Sequence, residues 1–234
     1  MKKHLKHSFY FPIIFLCLSS QFLFGQLDNR LFDIAKAPNP KDIENSIRTL
    51  ANFGTRSTLS DTVSNTRGIG AARRWIHNEF QKISSSCNQC LEVSYMNEVF
   101  KAGFNSRIKE DINISNVLAI QRGSVYPNRY VIMTADIDSR VTDVLDAQKD
   151  NPGANDNASG MAGVLEAAAV LSKYRFPTSI IYIGLSGEEQ GLLGAKFMAT
   201  KAKNPFTWIE IYVDDMNRAR KFYEAVLDIN LTEM

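Results

Sequence analysis

The stretch SIIYIGLSGEEQGLLG, residues 179–194, joins an apolar run to two adjacent glutamates. Residues 179–185 are short, aliphatic and bounded by turn residues, the pattern of a strand buried on both faces. The run stops at Gly187, and Glu188 and Glu189 follow at once. Like charges side by side repel, and each loses hydration if the place is enclosed. A carboxylate pair at the end of a buried strand therefore calls either for open solvent or for a compensating cation.

Working outward, NVLAI (116–120) and RYVIMTA (129–135) repeat the short apolar run and read as two more buried strands. LEVSYMNEVF (91–100) is strand-like as well. Ile43, Ile47 and Leu50, followed by Gly54, have helical spacing with a stop. Ile69, Ala72, Ile76, Phe80 and Ile83 form a second helical face, which His77 flanks as a partly packed histidine. Met161, Val164, Leu165, Ala168 and Leu171 make a third helix, and residues 191–203 a fourth. Strands alternating with helices predict one α/β domain around a mostly parallel central sheet.

In such sheets ligands sit beyond the carboxyl ends of the strands. The strand at 129–135 runs into DIDSR, with Asp136 and Asp138. PGANDNASG places Asp156 just before a helix, and the strand at 179–185 runs into the glutamate pair. Three acidic groups are thus expected at one sheet edge, where a divalent metal cancels their repulsion. Adjacent glutamates then divide the labour: Glu189 coordinates, while Glu188 stays off the metal and takes a proton from metal-bound water. Gly187 and Gly191 allow close backbone approach there.

Composition narrows the classes. With 27 basic and 25 acidic residues and 44% hydrophobic residues, the chain is of ordinary globular type, with no basic surplus for nucleic acid or an anionic membrane. The basic MKKHLKH followed by apolar residues 9–25 reads as a cleaved secretory signal, with a retained N-terminal anchor as the alternative. Cleavage after Gly25 predicts a secreted or periplasmic protein, without stable membrane association, that keeps His77 as its sole histidine. The remaining cysteines, Cys87 and Cys90, can close a short disulfide in an exported chain. A redox role needs the pair to open a helix beside a strand, and here it follows a helix.

Four stretches together, TLANFGTRSTLSDTVSNTRGIGAARRWIHNEF (49–80), DIDSRVTD (136–143), PGANDNASGMAGVLEAAAVL (152–171) and LSGEEQGLLGAKFMA (185–199), resemble the M28 family of zinc aminopeptidases. The resemblance spans about residues 28–203. It implies a three-layer α/β/α exopeptidase fold, two zinc ions, and peptide or protein N-termini as substrates. It implies Asp156 as the bridge between metals, Glu189 as a ligand of one, and Glu188 as the base. The family's usual histidine ligand is matched by Asp136, a harder donor that adds charge. Asp138 would then orient Asp136.

After Lys203 the resemblance changes. Residues 204–234, with IEIYV followed by DMNRARKFYEAVL, resemble the opening βα unit of glyoxalase and bleomycin-resistance (vicinal-oxygen-chelate) proteins. The expected organisation is therefore a signal at 1–25, a C-terminally incomplete peptidase-like domain at 26–203, and a fused partial unit at 204–234. The later aspartate and histidine ligands of the family are unmatched, Asp215 being a lesser candidate, so an impaired aminopeptidase is expected. The alternative is an inactive exported domain that binds peptide or metal.

Overall fold

The structure, a computed structural model, describes residues 29–201. The expected signal, Asp215 and the 204–234 unit lie outside the described residues. Helix α1 spans Asn29–Lys36 and α2 Pro40–Ala51, the latter capped by Asn39, whose side chain accepts from the Lys41 N–H. Helix α3 runs Gly68–Ser86. Three strands follow: β1 Leu91–Phe100, β2 Ile112–Gln121 and β3 Tyr126–Asp136. A turn at Ala154–Ala158, non-helical at Asp156 and Asn157, leads into α4, Ser159–Leu171; β4 is Thr178–Leu185 and α5 Leu193–Lys201.

The strands form one sheet in the order β1-β2-β4-β3. β3 and β4 are parallel, whereas β2 runs antiparallel to both β1 and β4. The sheet is mixed, so the expectation of a mostly parallel one is corrected. Between Leu91 and Asp136 three strands follow one another without a helix, and the loop from β1 to β2 is too short to carry a crossover. The apolar run of β2 marks burial on both faces and carries no information about direction.

Helix α3 lies over β1 and β2, α4 over β3 and β4, and α2 packs on α4. Their apolar faces meet the sheet in one core that includes Leu50, Ile69, Ile76, Phe80, Met161, Leu165, Val117 and Tyr182. On the opposite face Met198 of α5 packs with Leu118, Ile181 and Ile183. The result is the expected three-layer α/β/α arrangement. β3 is an outer strand of the described sheet, with Tyr130 and Val131 exposed. Among the described residues no helix is long and apolar enough to cross a membrane.

Cys87 and Cys90 form a disulfide at the junction of α3 and β1. Replacing both with serine is expected to cost about 2 kcal/mol, the chain entropy released by so short a loop. Urea denaturation should show a lower midpoint at an unchanged slope.

Candidate active site

The parallel pairing of β3 with β4 sets Asp136 opposite Leu185. The chain after β4 therefore turns beside the end of β3. Gly187 makes the turn possible: its φ is +76°, a left-handed conformation that glycine adopts without steric cost. A Cβ there would also meet Ile114 Cδ1 at 2.9 Å. Backbone bonds then wrap the loop, Leu193 N–H to Gly187 O at 2.9 Å and Gly194 N–H to Ser186 O at 2.9 Å. These bonds set the start of α5 at Leu193 and leave Gly191 and Leu192 in the loop.

Glu188 and Glu189 are anchored through their backbone N–H groups, and the Glu189 carboxylate is held by Arg140 as well. Asp138 Oδ1 accepts from the Glu188 N–H at 3.2 Å, and Oδ2 from the Glu189 N–H at 3.1 Å. The Thr58 hydroxyl donates to the same Oδ2 at 2.7 Å. The bonds formed by Asp138 thus go to the glutamate turn and to Thr58 rather than to Asp136. This follows from charge: two carboxylates repel, whereas N–H and O–H groups satisfy a buried acceptor. Asp138 is only 2% exposed, and desolvation pushes its carboxyl up against the pull of those bonds.

The other carboxylates feel one another. Desolvation, and then repulsion by Asp138, Asp156 and Glu189, raises Asp136 to about 6, opposed by a hydrogen bond from Asn157. Desolvation raises Glu188 to about 7, with added repulsion from Glu189, Asp136, Asp138 and Asp156. Glu189 is raised by desolvation and pulled back by Arg140, whose Nε lies 2.5 Å from its Oε2. Asp156 is exposed in the turn before α4, and a cis peptide bond joins it to Asn157. Asp136 thus lies at the same edge as Glu188 and Glu189, with buried Asp138 bonded to the glutamate turn, and Asp156 is near enough to add to their repulsion. His77 instead stacks on Tyr95, with ring centroids 4.6 Å apart.

Sequence reasoning missed the cations behind this edge. Arg56 is 1% exposed and donates to the carbonyls of Ile137 (2.8 Å), Leu50 (3.1 Å), Pro152 (2.5 Å) and Gly153 (3.0 Å). It ties the end of α2 to the strand end at Ile137 and to the loop that delivers Asp156. Arg73, from α3, reaches Ser186 at the start of the glutamate turn. Arginine is mostly a surface residue; Arg56 falls in no helical pattern, whereas Arg73, four residues after Ile69 and three before Ile76, lies on the apolar face of α3, the one signal that could have marked it.

The edge demands positive charge, yet the described residues do not complete a zinc site. Among them no three His, Cys, Asp or Glu side chains gather closely enough to hold a metal ion. The assembled donors are carboxylate oxygens only, whereas zinc sites are built largely from nitrogen and sulfur.

Residues 116–224 match peptidase family M28. The match continues past Lys203 into the stretch read as a vicinal-oxygen-chelate unit. A protein named "Probable zinc metalloprotease" from Pyrenophora tritici-repentis is 45% identical over 183 residues. That alignment takes in 78% of this chain and 38% of the relative. The chain thus spans less than half the length of that relative. The fold is similar to an aminopeptidase from Aneurinibacillus sp. strain AM-1, with a TM-score of 0.57 at 15% identity, over 73% of this chain and 68% of that one. It is also similar to Porphyromonas gingivalis glutaminyl cyclase, with a TM-score of 0.56 at 17% identity, over 72% of this chain and 55% of that one.

Proposed function

From the premise that this chain belongs to peptidase family M28, we propose that it acts as an exported metal-dependent aminopeptidase that removes residues from peptide N-termini. The observation that carries the reading is the fixed turn at the end of β4. There Glu188 stands beside Glu189 and Asp136, with its backbone N–H bonded to buried Asp138. Glu188 takes the proton of the attacking water and delivers it to the departing amine. A carboxylate whose proton affinity lies near neutrality suits both transfers.

Zinc enters the proposal through the name of the relatives. Asp136, Asp156 and Glu189 are the carboxylates proposed to face it, and by themselves they leave the ligand set incomplete. Turnover below the roughly 1 per second of ordinary enzymes is therefore expected.

The test uses the full chain with added zinc, a short peptide with a free N-terminus and its N-acetylated twin. Slow release of the first residue from the free peptide alone, stopped by a chelator, is expected. Cleavage of the acetylated twin, or release that persists in chelator, overturns the reading. Zinc-dependent peptide binding without release would establish the inactive binding domain instead.

A further inference from the structure

The glutamate turn rests on a buried polar cradle that its own carboxylates do not explain. Ser186, fully buried, donates its hydroxyl to Ser115 O at 2.7 Å and accepts from Arg73 Nε at 3.1 Å. Its N–H donates to Asn116 Oδ1 at 3.0 Å, and Asn116 in turn donates to Gly194 O at 3.0 Å. β2 and α3 therefore grip the first residue of the turn, while Asp138 grips its third and fourth.

Arg73 is the unexpected member. It is 6% exposed and sits beside Ile69, Ala72 and Ile76 on the packed face of α3. Among the described residues, apart from the Ser186 bond, its guanidinium makes one long contact, to Asn113 O at 3.4 Å. Its Nη2 is buried with no hydrogen-bond partner among the described residues. A guanidinium so poorly satisfied is costly to bury, and an apolar side chain of similar length would suit that helix face better. Burial pulls Arg73 down to about 10, and the attraction that opposes burial comes first from Asp138. The offset therefore lies with the buried carboxylate that holds the two glutamate N–H groups. A nearby positive charge favours the ionised form of that carboxylate, and the ionised form is the stronger acceptor.

We propose that Arg73 is a positioning residue for the turn that carries Glu188 and Glu189, acting through its bond to Ser186 and through its fixed positive charge near Asp138. Its value to catalysis rests on the role of Glu188 given above. The positioning itself can be read without turnover, so either idea can fail while the other stands.

The experiment is amide hydrogen exchange, followed by mass spectrometry or NMR, on the full wild-type chain and on Arg73→Met and Arg73→Lys. In Arg73→Met the Glu188 and Glu189 amides should exchange about 10-fold faster or more, while those of 179–185 keep their wild-type rates, because local opening is separable from global unfolding. Arg73→Lys keeps the charge without the forked geometry and should recover part of the protection. Equal acceleration across β4, as general destabilisation gives, or unchanged exchange at the turn would overturn the proposal. If Arg73→Met does not fold, Arg73→Lys decides: acceleration confined to the turn supports the proposal, and wild-type rates there refute it.

Discussion

Glu188→Gln is expected to abolish nearly all of the proposed peptidase turnover and, in the same protein, to make the metal-free chain more stable at pH 8. The amide keeps the size of the side chain and loses both proton transfers, a loss of about 100-fold or more. The stability gain follows from what burial and four neighbouring carboxylates do to Glu188, raising it from 4.5 to about 7. In the unfolded chain this carboxyl ionises near 4.5, whereas folded it holds its proton up to about 7. Between those values the folded state binds more protons, so stability falls as pH rises through the window, and the penalty is complete above it. Asp136 adds a similar fall, between 3.8 and about 6.

At about 1.4 kcal/mol per tenfold change in proton affinity, the shift at Glu188 would correspond to roughly 3 kcal/mol. The side chain is only partly buried, and solvent screening reduces this to about 1 kcal/mol. Urea unfolding at pH 5 and pH 8 in chelator should show the variant gaining on wild type at the higher pH. A gain equal at both, or activity kept by the glutamine variant, would show that Glu188 is not the charged base at this edge. Zinc content should stay unchanged in Glu188→Gln and fall in Glu189→Gln.

Arg56→Met should have the larger effect on folding, a loss of about 3–5 kcal/mol. The substitution removes a charge that burial has pulled down to about 10, which is favourable by itself. It also strips a donor from the carbonyls of Leu50, Ile137, Pro152 and Gly153 at once. Methionine offers them nothing, and at the buried carbonyls of Leu50 and Ile137 water is a poor replacement. Against the roughly 5–15 kcal/mol of a typical domain, the loss is enough to leave the protein unfolded at modest temperature. Arg56→Lys, with one nitrogen in place of a planar fork, should recover less than half. Chemical denaturation is the check, and a loss under about 1 kcal/mol for Arg56→Met would mean that its bonds are replaced by solvent.

How much of this was legible in the sequence depends on the range of the interaction. Helices α2, α3 and α4 and strand β4 follow from periodicity within a dozen residues, and the structure returns them within a few positions. The meeting of Asp136 with the glutamate pair follows from a rule about strand ends, and it held because β3 and β4 are the parallel pair. The direction of β2 was not legible, since an apolar run reports burial alone. The partners of Arg56 and Arg73 were invisible for another reason, although Arg73 stands out as a charge on the apolar face of α3. Their bonds reach Ile137, Pro152 and Ser186, far along the chain, and nothing in GTRS or AARRW signals a partner so distant. Helix α1 carried too few residues to stand out.

The position of β4 in the middle of the sheet has a consequence for the order in which the molecule assembles. β1 and β2 can pair as soon as both exist, but among the described residues β3 has no partner until β4 slides between it and β2. During synthesis, at about 5–20 residues per second, β3 waits for seconds while α4 and β4 are made. Its second half carries the apolar run Val131–Met133 with open backbone groups on both sides, the kind of surface that recruits a wrong neighbour. The bonds that define the acidic turn span long stretches of chain, 113 residues from Arg73 to Ser186 and 80 from Thr58 to Asp138. Closures of that length come late, after shorter-range contacts have paid their entropy. A nascent or half-folded chain therefore carries the carboxylates without the arrangement on which the proposed peptidase activity rests.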